Sequence, residues 1–171
     1  MTRKERKSRM FKIDDCVSYG VNGVCRIVDI CPSPFDKKDP RDFYVLKPLF
    51  MAATANSTIY SPIGIENRKL RPLISKEEAE ELLRTAAHLG FVEIAIEKNR
   101  RHVYQETMAS GDPREYVRIL KTVAHRRKEA AELRKQLPDV DVEYEAKARR
   151  CLFGELSTVL GIPFNEIEAM I

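Results

Sequence analysis

The sequence Pro72-Leu-Ile-Ser-Lys-Glu-Glu78 divides the chain into two parts with different hydrophobic periods. Its last four residues form a capping box, in which the Ser75 hydroxyl and the Glu78 carboxylate serve opposite backbone donors at a helix start. Before this stretch, short β-branched and aromatic runs alternate with turn residues, whereas after it apolar residues recur with the helical period. The pattern predicts an α+β chain with a β module at residues 10–72 and an all-helical module at residues 75–171.

The β module contains strand candidates at Cys16–Tyr19, Val24–Ile30, Phe43–Leu46 and Thr58–Tyr60, the last two separated by a polar turn around Asn56. Asn22-Gly23 suits a tight turn, because both residues tolerate positive φ. Alternation in the second strand places Val24, Val28 and Ile30 on one face and Cys25 and Ile27 on the other. The proline-rich, charged segment from Cys31 to Asp42 is expected to be a loop. Several short strands in about 60 residues predict a small bent sheet or open barrel.

The helical module contains five predicted helices. Asp112 suits an N-cap with Pro113 at the first helical position, and glycines suit helix ends. The predicted spans are Ser75 to near Gly90, Ile94–Met108, Asp112 to Pro138, Asp141 to Gly161, and Pro163–Ile171.

The net charge of +4 is carried by the first nine residues. Five basic residues against Glu5 give this segment +4, so the 25 basic and 25 acidic residues of the remainder cancel. Residues 1–9 therefore indicate a basic flexible leader, and any nucleic-acid binding must come from local clusters. No apolar run approaches the roughly 18 residues that span a bilayer, and none follows the leader as in a signal peptide. We expect a cytoplasmic protein without membrane contact.

The motifs of enzymes are missing from the sequence, so we expect no catalytic activity. No phosphate-binding glycine loop is present, and the three histidines lie on predicted helices among charged neighbours. The four cysteines are irregularly spaced and include no C-x-x-C pair, which favours reduced structural thiols over a metal site. The sequence therefore predicts no cofactor, no metal and no small-molecule ligand. The histidines are His88, His102 and His125, and the cysteines are Cys16, Cys25, Cys31 and Cys151.

Basic residues cluster locally on three predicted helices. Residues three apart are neighbours on a helix, and such basic pairs can straddle adjacent phosphates; a solvated mixed-charge face is the alternative. For Arg126–Lys128 we favour the solvated face, because Glu129 and Glu132 follow at once. The candidate phosphate-binding pairs are Lys98 with Arg101 and Lys147 with Arg150, together with Arg100.

Two parts of the sequence carry a family resemblance. Met-Phe-Lys-Ile-Asp-Asp-Cys-Val-Ser-Tyr-Gly-Val-Asn-Gly-Val (10–24) resembles the opening F-K-x-G-D-x-V-x-Y-P-x-x-G of the polymerase-interacting domain shared by CarD-family regulators and the transcription-repair coupling factor. Met108–Asp112, Ala146–Arg149 and Leu152-Phe-Gly-Glu-Leu156 resemble the CarD helical domain at matching spacing. The resemblance runs from Met10 to about Leu160.

This resemblance implies a transcription regulator with a Tudor-like β module that docks on the β subunit of RNA polymerase. The helical domain would contact promoter DNA at the upstream edge of the open bubble, changing the lifetime of the open complex. The protein would then associate with the nucleoid through the polymerase. Together with the basic clusters, the resemblance predicts DNA-backbone contacts, without sequence specificity, by Lys98, Arg100, Arg101, Lys147 and Arg150.

Two departures from the family pattern affect the predicted sites. Family members that grip the bubble use a Trp shortly before an Arg-Arg pair as a minor-groove wedge, and this chain contains Arg100-Arg101 but no Trp. The basic residues with which some members hold polymerase align with Ser33–Phe35 and Tyr60. Phe35 and Tyr60 are predicted instead to be apolar anchors, since aromatic residues are common hot spots. Alternatively, Tyr60 is an ordinary strand residue packed on Phe43.

Two other functions remain open. The neutral body and the missing Trp are compatible with a module that binds polymerase or another protein without touching DNA. A small RNA-binding module would present aromatic residues on its sheet to single-stranded bases. Phe43 and Tyr44, however, are sequence neighbours and point to opposite faces, which weakens a stacking platform.

Overall fold

The structure is a computed structural model that describes residues 11–51, 57–64 and 69–170. It contains an antiparallel sheet followed by helices, which confirms the predicted α+β class. The predicted leader at residues 1–9, the turn around Asn56 and the last residue lie outside the described residues.

The sheet of the β module has the strand order β4-β3-β2-β1-β5, in which every neighbouring pair is antiparallel. The first four strands match the predicted candidates, whereas β5 is not predicted, because a three-residue strand is too short for an alternating pattern. The strands are β1 (Cys16–Tyr19), β2 (Val24–Pro32), β3 (Asp42–Pro48), β4 (Ile59–Pro62) and β5 (Leu70–Pro72).

The predicted faces of β2 are wrong beyond Ile27. A β-bulge interrupts the pairing of β2 with β3 between Ile27 and Asp29, and the extra residue is Val28, which is exposed. A bulge resets the side-chain alternation, so Ile30 returns to the same face as Cys25 and Ile27. This face forms the core of the β module, which includes Val17, Cys25, Ile27, Tyr44 and Leu46.

The connection from β1 to β2 is a 3-10 turn over Gly20–Asn22. Positive φ occurs at Gly20 (49°) and Gly23 (71°) but not at Asn22, so Asn22 does not have the predicted role. The predicted loop from Cys31 to Asp42 is shorter than expected, because Cys31 and Pro32 extend β2 and pair with Phe43 and Asp42.

The helices of the helical module are α1 (Lys76–Thr85), α2 (Arg100–Ala109), α3 (Pro113–Glu132), α4 (Asp139–Leu160) and α5 (Phe164–Glu168). Ser75 and Glu78 make the predicted capping box at the start of α1. Asp112 caps α3 through its side chain, and Gly161 ends α4 in the left-handed conformation (φ 67°), as predicted.

Three predicted helix ends are wrong. α2 begins at Arg100 rather than Ile94, because the Val92 amide donates to the Thr122 hydroxyl (2.8 Å) and holds the preceding segment against α3. α3 ends at Glu132 rather than Pro138, and Arg134 then takes a positive φ of 52°. α4 begins at Asp139, two residues before the predicted start.

The helices share one apolar core, to which α1, α2, α3 and α4 contribute buried stripes. Its largest fully buried side chains include Tyr104, Tyr116 and Ile119. None of the helices within the described residues combines the length and apolarity that a bilayer-spanning segment requires.

Candidate functional site

Phe35, Phe43 and Tyr60 form an aromatic cluster on the face of the sheet opposite the β-module core. Tyr60 is the cross-strand partner of Val45, so it shares a face with Val45 and with Phe43 two residues earlier. The Phe35 ring meets Phe43 edge-on (centroids 6.0 Å apart, 68°) and Tyr60 likewise (5.7 Å, 86°). The structure therefore brings together the two predicted polymerase anchors.

Much of this aromatic cluster is open to solvent. Phe35 is 74% exposed and Tyr60 is 38% exposed, whereas Phe43 lies beneath them and is buried. A large aromatic ring left in water by its own fold is a typical feature of a binding hot spot. The RNA-binding alternative receives no support from Tyr44, which points into the core on the other face.

The loop that carries Phe35 is held by local hydrogen bonds. The Asp36 amide donates to the Ser33 hydroxyl (3.1 Å), and the Asp36 carboxylate accepts from the Lys38 amide (2.8 Å). Asp39 accepts from the Arg41 side chain (Nη2, 2.7 Å) and amide (3.0 Å), and these bonds hold the pKa of Asp39 below its usual range. Such local side-chain bonds fix the backbone of a short loop, which orders the position of Phe35.

Arg100, one of the predicted DNA-binding residues, points into the protein. It is 8% exposed, and its Nη1 donates to the fully buried Asp141 carboxylate (2.8 Å). Asp141 also accepts from the Tyr104 hydroxyl (2.9 Å), and Glu97 pairs with both Arg100 and Arg126. These bonds tie α2, α3 and α4 together, so a DNA contact by Arg100 stays a prediction that requires the Asp141 pair to open.

Arg101 and Lys147 lie close together because both bind Glu143. Arg101 Nη1 donates to one carboxylate oxygen (2.7 Å) and Lys147 Nζ to the other (2.5 Å). Both bonds lower the pKa of Glu143, and the bond from Lys147 has the larger effect. The Arg101 side chain is nevertheless 58% exposed. Two cations therefore share one carboxylate, which leaves a net positive charge on this surface.

The two remaining predicted DNA-binding residues lie in different settings. Lys98 is exposed in a 3-10 turn over Glu97–Asn99 and makes no ion pair or hydrogen bond with a described residue. The predicted pairing of Lys98 with Arg101 on one helix face is therefore wrong, because Lys98 lies before the start of α2 at Arg100. Arg150 lies one turn after Lys147 on α4, as predicted, but its Nη2 donates to the Val21 carbonyl of the β module (3.0 Å).

Two functional candidates were not predicted: Arg71 and Glu155. Arg71 on β5 makes a bidentate ion pair with Glu155 on α4 (Nη1–Oε1 2.6 Å, Nη2–Oε2 2.7 Å), although 84 residues separate them. Glu155 is 1% exposed, and two sequence signals point to it: its position between the apolar Leu152 and Leu156, and its place in the motif at 152–156 that resembles the CarD helical domain. Because this pair connects the two modules, it bears on how they work together.

Among the described residues, no group of His, Cys, Asp and Glu side chains could hold a metal ion. All four cysteines are free thiols, and Cys25 and Cys151 are buried. Burial is the main cause that raises the pKa of Cys25 to about 12 and that of Cys151 to about 11. These two thiols therefore stay protonated at neutral pH and are poor nucleophiles and metal ligands.

Comparison with known proteins finds a similarity, which lies in the β module. Residues 11–74 match the family model described as the CarD-like/TRCF RID domain. The match covers the whole sheet and ends at the residue before the Ser75 cap. No curated protein matches the chain.

Proposed function

We propose that the chain is a non-enzymatic, cytoplasmic transcription regulator that binds the β subunit of RNA polymerase, because residues 11–74 match the model of the CarD-like/TRCF RID domain. In this proposal the β module docks through its aromatic cluster. The helical module contacts DNA at the upstream edge of the open promoter bubble and thereby changes the lifetime of the open complex.

The observation that carries the proposal is the aromatic cluster on a module that matches the model of the CarD-like/TRCF RID domain. Phe35 and Tyr60 are far apart in sequence, yet they meet edge-on over the buried Phe43 ring. A buried ring supporting two exposed ones gives a rigid apolar surface, which loses little conformational entropy when a partner covers it. Aromatic anchors of this kind commonly contribute more than about 2 kcal/mol each to a protein interface.

The DNA part of the proposal is supported by Lys98, Arg101 and Lys147. Lys98 is unpaired within the described residues, and Arg101 and Lys147 share one carboxylate, so all three can turn toward phosphate without exposing a buried charge. Arg100 and Arg150 are included with them from the sequence, and both donate to groups within the protein.

The proposed dock is tested by capturing cognate RNA polymerase, or its isolated β subunit, on the full chain. We expect Phe35→Glu and Tyr60→Glu each to weaken capture by roughly 30-fold or more, the effect of losing about 2 kcal/mol. Phe91→Glu is the matched control, because Phe91 is a similarly exposed aromatic residue on the helical module, stacked on His125. Equal capture by all variants would refute the aromatic cluster as the dock.

A second function is a module that docks on polymerase or another protein without contacting DNA. It is favoured by the internal pairing of Arg100, Arg101 and Lys147 with Asp141 and Glu143. Salt distinguishes the two, because each phosphate contact releases counterions whereas an apolar dock is nearly independent of salt. Promoter-complex lifetimes that fall steeply with salt in wild type, and less steeply in Arg101→Gln, would support DNA contact. Identical salt dependence would support the second function.

A further inference from the structure

The stretch Leu152-Phe-Gly-Glu-Leu156, which resembles part of the CarD helical domain, lies where the β module meets the helical module. Glu155 accepts two bonds from Arg71 of β5 and a third from the Ile74 amide (3.0 Å) in the segment between the modules. Arg71 Nε donates to the Gly111 carbonyl (2.8 Å) between α2 and α3. We call these four residues, Arg71, Ile74, Gly111 and Glu155, the joint.

A second contact between the modules involves Gly154, the residue of α4 before Glu155. The Phe50 ring, just after β3, packs so closely on Gly154 that a Cβ there would lie 2.7 Å from Phe50 Cδ2. Phe50 also stacks on Phe164 of α5 (centroids 5.5 Å apart, 28°). Gly154 is therefore needed for the close approach of a β-module ring to the helix.

A third contact involves the turn between β1 and β2. A Cβ on Gly23 would lie 3.4 Å from the Arg150 carbonyl oxygen and 3.4 Å from Cys151 Cα, and the Cys151 thiol donates to the Gly20 carbonyl (3.6 Å). The turn and α4 therefore approach backbone to backbone. All these contacts lie on one face of α4, because residues 150, 151, 154 and 155 fall within an arc of about 140° around the helix.

We propose that the joint is a positioning device: the Arg71–Glu155 pair fixes the angle at which a docked β module presents α4 and its neighbouring basic residues. This inference rests on the proposed function. Each module has its own apolar core, so the joint is not what folds either one. Glu155 is buried and Arg71 is partly buried, so desolvation offsets much of the attraction in this pair, while its two parallel hydrogen bonds fix how the two side chains are oriented.

Because α4 is long, a small change in the angle between the modules moves its far end by several ångströms. Glu155 lies 14 residues after Asp141, which is about 21 Å along the helix at about 1.5 Å per residue. Glu143, the partner of Arg101, lies about 18 Å from Glu155 along the same helix, so a tilt of about 10° at the joint displaces it by about 3 Å. That displacement is about the length of a hydrogen bond, so a phosphate contact made at one angle is lost at the other.

The test variant is Arg71→Met combined with Glu155→Gln in the full chain. It removes both charges together and leaves an acceptor for the Ile74 amide, so no lone charge is buried. Arg127→Gln is the control, because it breaks an ion pair with Glu145 between α3 and α4, wholly within the helical module. Residual dipolar couplings of β3 and α3 amides report the angle between the modules independently of any activity.

In the wild type and the control, one alignment tensor should fit both modules. In the double variant, we expect the modules to need separate tensors, polymerase capture to be unchanged, and the effect on promoter-complex lifetime to fall roughly tenfold, the scale of one lost charge-assisted bond. A single tensor in the double variant would overturn the inference, as would separate tensors with an unchanged effect on lifetime. Failure of the wild type to capture polymerase would instead refute the proposed function, while the couplings would still decide whether the joint fixes the angle.

Discussion

Replacing Arg100 by Met should destabilise the protein far more than the same change at Arg101, its neighbour in sequence. Arg100 Nη1 is 2.8 Å from the carboxylate of Asp141, which is fully buried, so its loss leaves a buried charge without its main partner. Breaking such a pair costs about 3–5 kcal/mol. We expect the lower end, because the Tyr104 hydroxyl (2.9 Å) still donates to Asp141 and Arg126 Nε remains 3.5 Å away.

Arg101 pairs with Glu143 at a similar distance (2.7 Å), but both side chains reach solvent. Exposed pairs contribute about 0–1 kcal/mol. An unfolding entropy of about 2.1 cal/mol/K per residue gives about 0.36 kcal/mol/K for 171 residues. The expected fall in Tm is therefore about 8 °C for Arg100→Met and at most about 3 °C for Arg101→Met, measured by calorimetry or circular dichroism.

A double-mutant cycle identifies the cause of the difference. Asp141→Asn added to Arg100→Met removes the buried charge and keeps an acceptor for Tyr104, so it should restore part of the lost stability. Two results would refute the buried pair as the reason. One is equal Tm values for Arg100→Met and Arg101→Met. The other is that Asp141→Asn destabilises the Arg100→Met variant as much as it destabilises the wild type.

Three further predictions concern the thiols and the contact between the modules. In the native protein, an alkylating reagent should modify the partly exposed Cys16 and Cys31 and spare the buried Cys25 and Cys151. In denaturant all four should react, and mass spectrometry counts the modified thiols. Rapid labelling of Cys25 and Cys151 in the native protein would contradict this prediction. Folding raises the pKa of Cys25 to about 12 and that of Cys151 to about 11, from the ordinary thiol value of 9.0. The native state therefore binds more protons than the unfolded state above about pH 9, and the free energy of unfolding measured in denaturant titrations should fall as the pH rises from there. A free energy of unfolding that stays constant to about pH 11 would contradict this. Gly154→Val should cost about 1–3 kcal/mol by overpacking against the aromatic ring above it, and a variant as stable as wild type in the same titration would show that this ring moves freely.

The elements that the sequence predicts best are those with local signals. Ser75 with Glu78, Asp112 with Pro113, and Gly161 each act on backbone groups within a few residues, so the helix ends they define are confirmed. The predicted start of α2 is wrong because Ile96 is extended (φ −129°, ψ 115°) and a 3-10 turn over Glu97–Asn99 follows it, in a segment that Thr122, 30 residues away from Val92, holds against α3.

The candidate site was predictable only in part, because most of its contacts join residues far apart in the sequence. The contact between Phe35 and Tyr60 depends on strand register and a loop conformation, so their positions were inferred from the family resemblance and not from spacing. Arg100 has the same local pattern as Arg101, and only the fold distinguishes an internal anchor from an exposed cation. The pairing of Arg71 with Glu155 across 84 residues has no local signal at all.

Hydrogen exchange of the full chain, with and without RNA polymerase, tests the central claim most directly, because it locates the dock without any substitution. We predict slower exchange, on adding polymerase, for the loop over residues 33–41 and for β4, which carry Phe35 and Tyr60. The helical module should change little until promoter DNA is added. Slower exchange confined to the helical module, with the loop and β4 unchanged in the polymerase complex, would contradict the proposed dock.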